Sequence, residues 1–161
     1  MSLPPKSIEK DKISRRSAAR YGAIQALFHI RFSKENKEQA LKDFEQYFLN
    51  IDSGEDDTLD LRHADRRFLE MLVDGVLKEL DDLVAIIDPY LAQGWSFEKM
   101  EPVVGWILLL GVYELLRCQE TDTLVIFNEY VEATKAFATE KEASFVNGVL
   151  DRISKNVRET V

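Results

Sequence analysis

Apolar residues recur along this chain at steps of three and four. Tyr21, Ile24, Leu27 and Phe28 open the pattern, and that spacing puts them on one face of a helix. Ser14 stands ahead of the run, placed to cap its first turn, so a helix is predicted from Ser14 to Phe32. Ser33 and Asn36 break it. A second helix follows, with Leu41, Phe44, Phe48 and Ile51 on its inner face. Phe68, Leu72, Val76 and Leu80 repeat every four residues, with Leu69, Val73 and Leu83 alongside. They predict a third helix from near Leu61 to beyond Leu80. Asp88-Pro89 divides it from a short helical segment that Gly94 ends. Pro102 suits the first turn of a new helix. That helix, Val103 to Arg117, is apolar nearly all round, which places it at the buried centre of the C-terminal half. Thr123 to Ala138 turns Phe127, Tyr130, Val131, Thr134 and Phe137 inward. Glu140, Lys141 and Glu142 read as a polar turn, and Ser144 as the cap of the last helix. Phe145, Val146, Val149, Leu150, Ile153 and Val157 form that helix's inner stripe. No segment alternates with the period of a strand. The expected fold is all-α, with about seven helices.

Three polar positions interrupt these stripes. Glu114 lies inside Val112–Leu116, Asn128-Glu129 follows Val125-Ile126-Phe127, and Asn147-Gly148 splits Phe145-Val146 from Val149-Leu150. An Asn-Gly pair commonly marks a turn, but here the stripe continues through it in phase. Both residues therefore belong inside a helix, where Gly148 costs about 1 kcal/mol relative to Ala. A close helix–helix approach is the expected reason for that glycine. Asn128 and Asn147 are read as structural buried amides that bond to main chain, in preference to the alternative of direct ligand binding, since buried polar side chains generally find such partners.

The charge is unevenly spread. The 161 residues carry −8. Residues 1–34 hold eight Lys/Arg and two acids, a net +6, which leaves −14 for the remainder. Such a balance argues against a general nucleic-acid binder and for a local anion site at the basic end. Residues 1–13 are expected to be a flexible basic arm. Within the first helix Arg16 and Arg20 are four apart, one above the other on a single face, an array suited to phosphates. The competing reading is a solvated charged face. The acidic stretch 52–60 has five acids in nine residues, but not the alternating ligands of a calcium loop, and is read as a solvated loop.

Catalytic and metal patterns are missing. His29, His63 and the single Cys118 cannot close a structural zinc site. The glycines form no phosphate loop, and there is no nucleophile elbow. No cofactor or metal is expected, and the reading moves from an enzyme to a binding module. Val103–Tyr113, the longest apolar region, is short of the roughly 20 residues that span a bilayer. The N-terminal residues have no apolar core of a secretory signal. With one cysteine, read as a reduced buried thiol, a cytoplasmic protein without a membrane partner is expected.

Four blocks resemble the family of the bacterial transcription antitermination factor NusB. They are Arg20-x4-Gln25-Ala26-Leu27-Phe28; Leu109-x3-Tyr113-Glu114-Leu115; Ile126-Phe127-Asn128-Glu129 with Ala133-x-Lys135-x-Phe137; and Phe145-Val146-Asn147-Gly148-Val149-Leu150-Asp151. The last two are the most specific, and the resemblance covers roughly residues 15–155. It implies one helical domain over 14–161 made of two small bundles, divided here as 14–84 and 85–161. It also implies binding of single-stranded boxA RNA in ribosomal RNA leader transcripts. The partner in that binding is NusE, a small-subunit ribosomal protein, and the complex helps RNA polymerase read through terminators, without catalysis. The RNA-contacting residues it suggests are Arg15, Arg16, Arg20 and Phe28. Lys141 and Phe145 would close the other side, since in the family the last helix begins near the first.

The match is not complete. The family usually has two arginines, one variable residue, then Ala-Arg; here Ser17-Ala18-Ala19 separate Arg15-Arg16 from Arg20. Only Arg16 and Arg20 keep the one-turn relation, and Phe28 stands where Tyr is common. Elementary chemistry agrees with the resemblance. Single-stranded RNA is read by aromatic stacking and hydrogen bonds to base edges, and an acidic body fits a basic protein partner. Rival readings are a helical adaptor that binds only protein, an RNA-binding domain of the kind fused to rRNA cytosine methyltransferases, and a self-associating form that buries its RNA surface. For Phe28, core packing and base stacking remain equal alternatives.

Overall fold

Helices form where the apolar periodicity predicts them. The computed structural model describes residues 14–32, 34–47, 63–94 and 96–158, with Phe32 as backbone only. Seven α-helices lie in these residues: α1 Arg15–Phe32, α2 Lys37–Tyr47, α3 Arg66–Lys78, α4 Leu80–Ile87, α5 Pro102–Arg117, α6 Thr123–Phe137 and α7 Glu140–Val157. Two short 3-10 turns, Asp88–Tyr90 and Phe97–Lys99, stand between α4 and α5. No strand occurs among the described residues, so the all-α expectation holds. The readings of the arm 1–13, of the acidic loop 52–60, and of Phe48 and Ile51 lie outside the described residues.

Side-chain caps set most helix starts. Ser14 Oγ accepts from the Ser17 amide at 2.9 Å, as its place in the sequence predicts. Asn36 Oδ1 accepts from Gln39 at 2.8 Å, and Asp65 Oδ1 from Phe68 at 3.1 Å. The last helix begins earlier than expected. Thr139 Oγ1 accepts from the Glu142 amide at 3.2 Å, and Glu142 Oε1 from the Thr139 amide at 3.1 Å. This reciprocal box satisfies two amides that otherwise lack helical partners. Glu140 and Lys141 are therefore the first helical turn, and Ser144 is not the cap. The expected third helix is two, α3 and α4, separated by Glu79 alone. Backbone bonds carry across the interruption, from Glu79 N to Gly75 O at 3.0 Å and from Leu83 N to Glu79 O at 2.9 Å.

The chain divides into two compact units, Met1–Met71 and Leu72–Val161. The division falls inside α3 and not near residue 84, because the apolar residues of that one helix are shared out between units. Phe68 and Leu69 belong to the first and Leu72, Val73 and Val76 to the second. In the first unit α1 packs on α2, and Ala23, Ile24, Leu27, Leu41 and Phe44 are buried. In the second, α5 packs on α4, α6 and α7. Every residue of α5 from Val104 to Leu115 is buried, as its near-continuous apolarity predicts.

Two glycines permit close approaches in the second unit. A Cβ on Gly75 would lie 2.1 Å from the Tyr113 ring, and one on Gly111 would lie 3.0 Å from Leu150 Cδ2. Gly148 makes no such approach: a Cβ there would meet nothing within 4 Å. The expected helix–helix contact at Gly148 is thus corrected, because the residue lies on the outer side of α7.

Several buried polar groups of the second unit are hydrogen-bonded. The fully buried Glu114 carboxylate accepts the Tyr130 hydroxyl proton, and Thr134 Oγ1 donates to Tyr130 O at 2.7 Å. Arg117 grips Glu79 with contacts of 2.6–3.2 Å. Arg158, just past α7, donates to Leu115 O, Thr121 O, Thr123 Oγ1, Glu114 O and Cys118 O at 2.6–3.3 Å. A guanidinium has five N–H groups, and here each has an acceptor.

Burial, and after it the Glu79 carboxylate, holds the Tyr113 phenol above its ordinary value of 10.0, with Arg117 opposing. The folded state therefore retains this proton where the unfolded chain releases it. Stability from this group is full below about pH 10 and falls as pH rises above that value. Denaturant midpoints between pH 9 and 11 should show this loss in the parent and a smaller one in Tyr113→Phe. Equal losses would remove Tyr113 as the cause.

Candidate nucleic-acid interface

The basic end of α1 meets the start of α3 within the first unit. Asp65 N donates to Arg15 O at 3.0 Å, and Arg15 Nε donates to His63 O at 3.2 Å. These bonds fix the first turn of α1 against the residues that lead into α3. Phe68 then stands beside the arginine ridge. Its ring centroid is 4.4 Å from Arg16 Cζ and 5.3 Å from Arg20 Cζ, close enough for cation–π attraction to both.

The two guanidiniums differ in access. Arg15 and Arg16 are exposed. Arg20 is only 5% exposed, which corrects its expected place as a surface phosphate ligand. Long cationic side chains often bury their aliphatic stem, and the Arg20 guanidinium lies 5.3 Å from the centroid of the buried Phe68 ring. Arg20 is thus buried beside Phe68, while Arg16 presents charge to solvent. Phe68 is the participant that sequence reasoning missed. Its place in an apolar stripe gave a sufficient account of it, and only the fold sets its ring against arginines about 50 residues earlier.

Phe28 is 42% exposed, so it is not a core residue of the first unit. It lies about 18 Å along the helix axis from Arg16, so the two mark separate points on α1. In the second unit Lys141 and Phe145 are one turn apart on α7. Lys141 is exposed, and Phe145 is 39% exposed, outside the inner stripe to which its spacing had assigned it.

Asn128 and Asn147 depart from expectation. Both are exposed, and neither side chain makes a hydrogen bond among the described residues. The buried arc of α6 runs through Ile126, Phe127, Tyr130, Ala133 and Thr134, and Asn128 lies on the opposite side. Asn147 falls outside the arc formed by Ala143, Val146, Val149, Leu150 and Ile153. Periodicity kept both in phase with the helix but did not bury them. Buried polar support in this unit comes from Glu114, Tyr130, Thr134 and Arg158.

Among the described residues no group of three or more His, Cys, Asp or Glu could hold a metal ion. No helix among them is long and apolar enough to cross a membrane.

The described residues are helical, in two units, with an exposed guanidinium beside an aromatic ring, the make-up of a helical protein. The family model described as "NusB family" matches residues 17–155, and the chain belongs to that family of transcription antitermination proteins. It is 35% identical over 144 residues to the transcription antitermination protein NusB of Sphingopyxis alaskensis, covering 89% of this chain and 95% of that protein. The NusB of Novosphingobium aromaticivorans is 33% identical, with the same coverage. Among solved structures, a NusB in complex with NusE and dsRNA superposes with a TM-score of 0.69 at 27% identity, covering 87% of this chain and 96% of that one. The NusB of T. maritima superposes with a TM-score of 0.70 at 29% identity, covering 89% and 92%.

Proposed function

We propose that this protein is a transcription antitermination factor that binds single-stranded boxA RNA of ribosomal RNA leader transcripts together with NusE. The assembly promotes read-through by RNA polymerase in the cytoplasm, and the chain contributes binding without catalysis. The observation that carries this reading is the exposed Arg16 guanidinium held over Phe68, in a chain whose family includes a NusB seen with NusE and RNA. Arg15 and Arg16 supply phosphate contacts. Phe28, and separately Lys141 and Phe145, supply ring surface and charge. Arg20 positions Arg16 through the shared Phe68 ring. The net charge of −8 limits indiscriminate RNA binding and favours a basic protein partner.

The test is RNA affinity across a series of salt concentrations with NusE at saturation, using single-stranded and double-stranded probes of the same sequence. Each phosphate contact removed from a single strand lowers the log–log slope by about 0.7. Arg15→Gln with Arg16→Gln should therefore flatten it by about 1.4. Phe28→Ala should weaken binding by about 1–3 kcal/mol, as loss of a stacked base does, and leave the slope in place. An unchanged slope in the double variant would refute the phosphate assignment. Tighter binding of the duplex than of the single strand would refute the proposed RNA class.

A further inference from the structure

Lys141, Ser144, Phe145, Gly148, Arg152 and Lys155 are all exposed, and at 100° per residue they fall within an arc of about 100° on α7. The arc is about 21 Å long. It holds three cations, of which Lys155 is paired at 3.3 Å with Asp151 at the edge of the arc. Arg152 is set in place by Tyr90: its Nη2 donates to Tyr90 O at 2.8 Å, and its Cζ lies 5.8 Å from the ring centroid. A positive strip is thus built on a chain whose net charge is −8.

Gly148 lies at the middle of this strip. Glycine weakens a helix interior relative to almost any other residue. Among the described residues nothing occupies the space where its side chain would be, so no contact among them explains it. A chain lying against α7 from outside would use that opening to reach the backbone, with Phe145 one turn away as a stacking face.

We propose that the outer face of α7 from Lys141 to Lys155 is a track for single-stranded RNA, in which Gly148 is a notch that admits the nucleotide next to the one on Phe145. This rests on the RNA-binding reading above and extends it beyond Lys141 and Phe145. Charge selects RNA as the occupant: a basic protein surface would be repelled by three cations, whereas phosphates are attracted by them. Cations along the backbone with an aromatic platform between them are the equipment of single-strand binding.

The experiment measures affinity for a single-stranded boxA RNA at several salt concentrations with NusE at saturation, beside melting temperatures and NusE affinity. The variants are Gly148→Leu and Lys155→Gln, with Arg16→Gln and Phe145→Ala as reference variants. Leucine is a better helix former than glycine and meets open space, so Gly148→Leu should melt no lower than the parent. It should weaken RNA binding by about tenfold, the loss of one stacked base. Lys155→Gln should lower the salt slope by about 0.7. Parent-like RNA binding by either variant, while Arg16→Gln and Phe145→Ala bind weakly, would overturn the track and leave the RNA-binding reading standing. Parent-like binding by all four would overturn both. If Gly148→Leu loses NusE and keeps RNA, the face belongs to the protein partner and the proposal fails.

Discussion

Arg158→Ala should melt about 6–12 °C below the parent, the shift expected for about 3 kcal/mol in a chain of this size. The last carbonyls of a helix have no intrahelical donors. At the end of α5 Leu115 O accepts from the Arg158 guanidinium, which also reaches Thr121 O, Thr123 Oγ1 and, beside their backbone donors, Glu114 O and Cys118 O. The positive group sits at the negative end of the α5 dipole, an added favourable term. Gln119 Nε2 donates to Leu115 O at 2.9 Å and to Leu116 O at 3.0 Å, so part of the cap survives without Arg158. Glu114 O and Cys118 O keep their backbone donors, Cys118 N and Thr121 N at 2.9 Å each, so truncation to alanine removes their second bond and takes the Thr121 carbonyl's guanidinium donor away. Arg158→Lys keeps the charge but offers three donors in place of five and should recover less than half of the loss. Thermal unfolding of the three proteins decides the matter. An alanine variant that melts with the parent would show these bonds to be no stronger than those to water.

Gly75→Ala should destabilise the second unit by about 3 kcal/mol, the upper range for overpacking a tight core. Alanine is the better helix former by about 1 kcal/mol, so the sign depends on which effect is larger. The new Cβ would stand 2.1 Å from Tyr113 Cζ and 2.2 Å from its oxygen, far inside van der Waals contact. The ring is buried, beside the Arg117–Glu79 pair, and cannot turn aside freely. The cause can be isolated by a double-mutant cycle with Tyr113→Leu, which removes the far half of the ring. Gly75→Ala in that background should lose at least about 1 kcal/mol less than in the parent, a coupling typical of residues in contact. Additive effects would show that the ring is not the obstacle.

The same two regions show how far local pattern reaches. The helices were legible because apolar spacing of three and four is a local property of the chain, independent of what covers the face. The burial of α5 was legible for the same reason, since a helix apolar on all sides has only one soluble solution. Thr139 was missed as a cap because Glu140-Lys141-Glu142 was read by composition, whereas the box depends on the pair Thr139 and Glu142. Four sequence blocks were enough to show the family likeness, with NusE and boxA RNA implied by it.

What covers each face was decided by tertiary structure alone. Phe28 and Phe145 fit apolar stripes and are nonetheless exposed, because a stripe is wider than the surface that its neighbours cover. Arg16 and Arg20 look equivalent in sequence, yet one faces solvent and the other is buried, and both lie beside the Phe68 ring, about 50 residues on. Gly75 and Gly148 are both helical glycines. One is filled by a ring from another helix and the other faces open space. Arg158 gives no local signal at all, since its acceptors lie 35–44 residues earlier. Sequence by itself determined the helices, their apolar faces and the family. Which side chains became core, ridge or clamp followed from contacts between distant segments, and those exist only once the chain has folded.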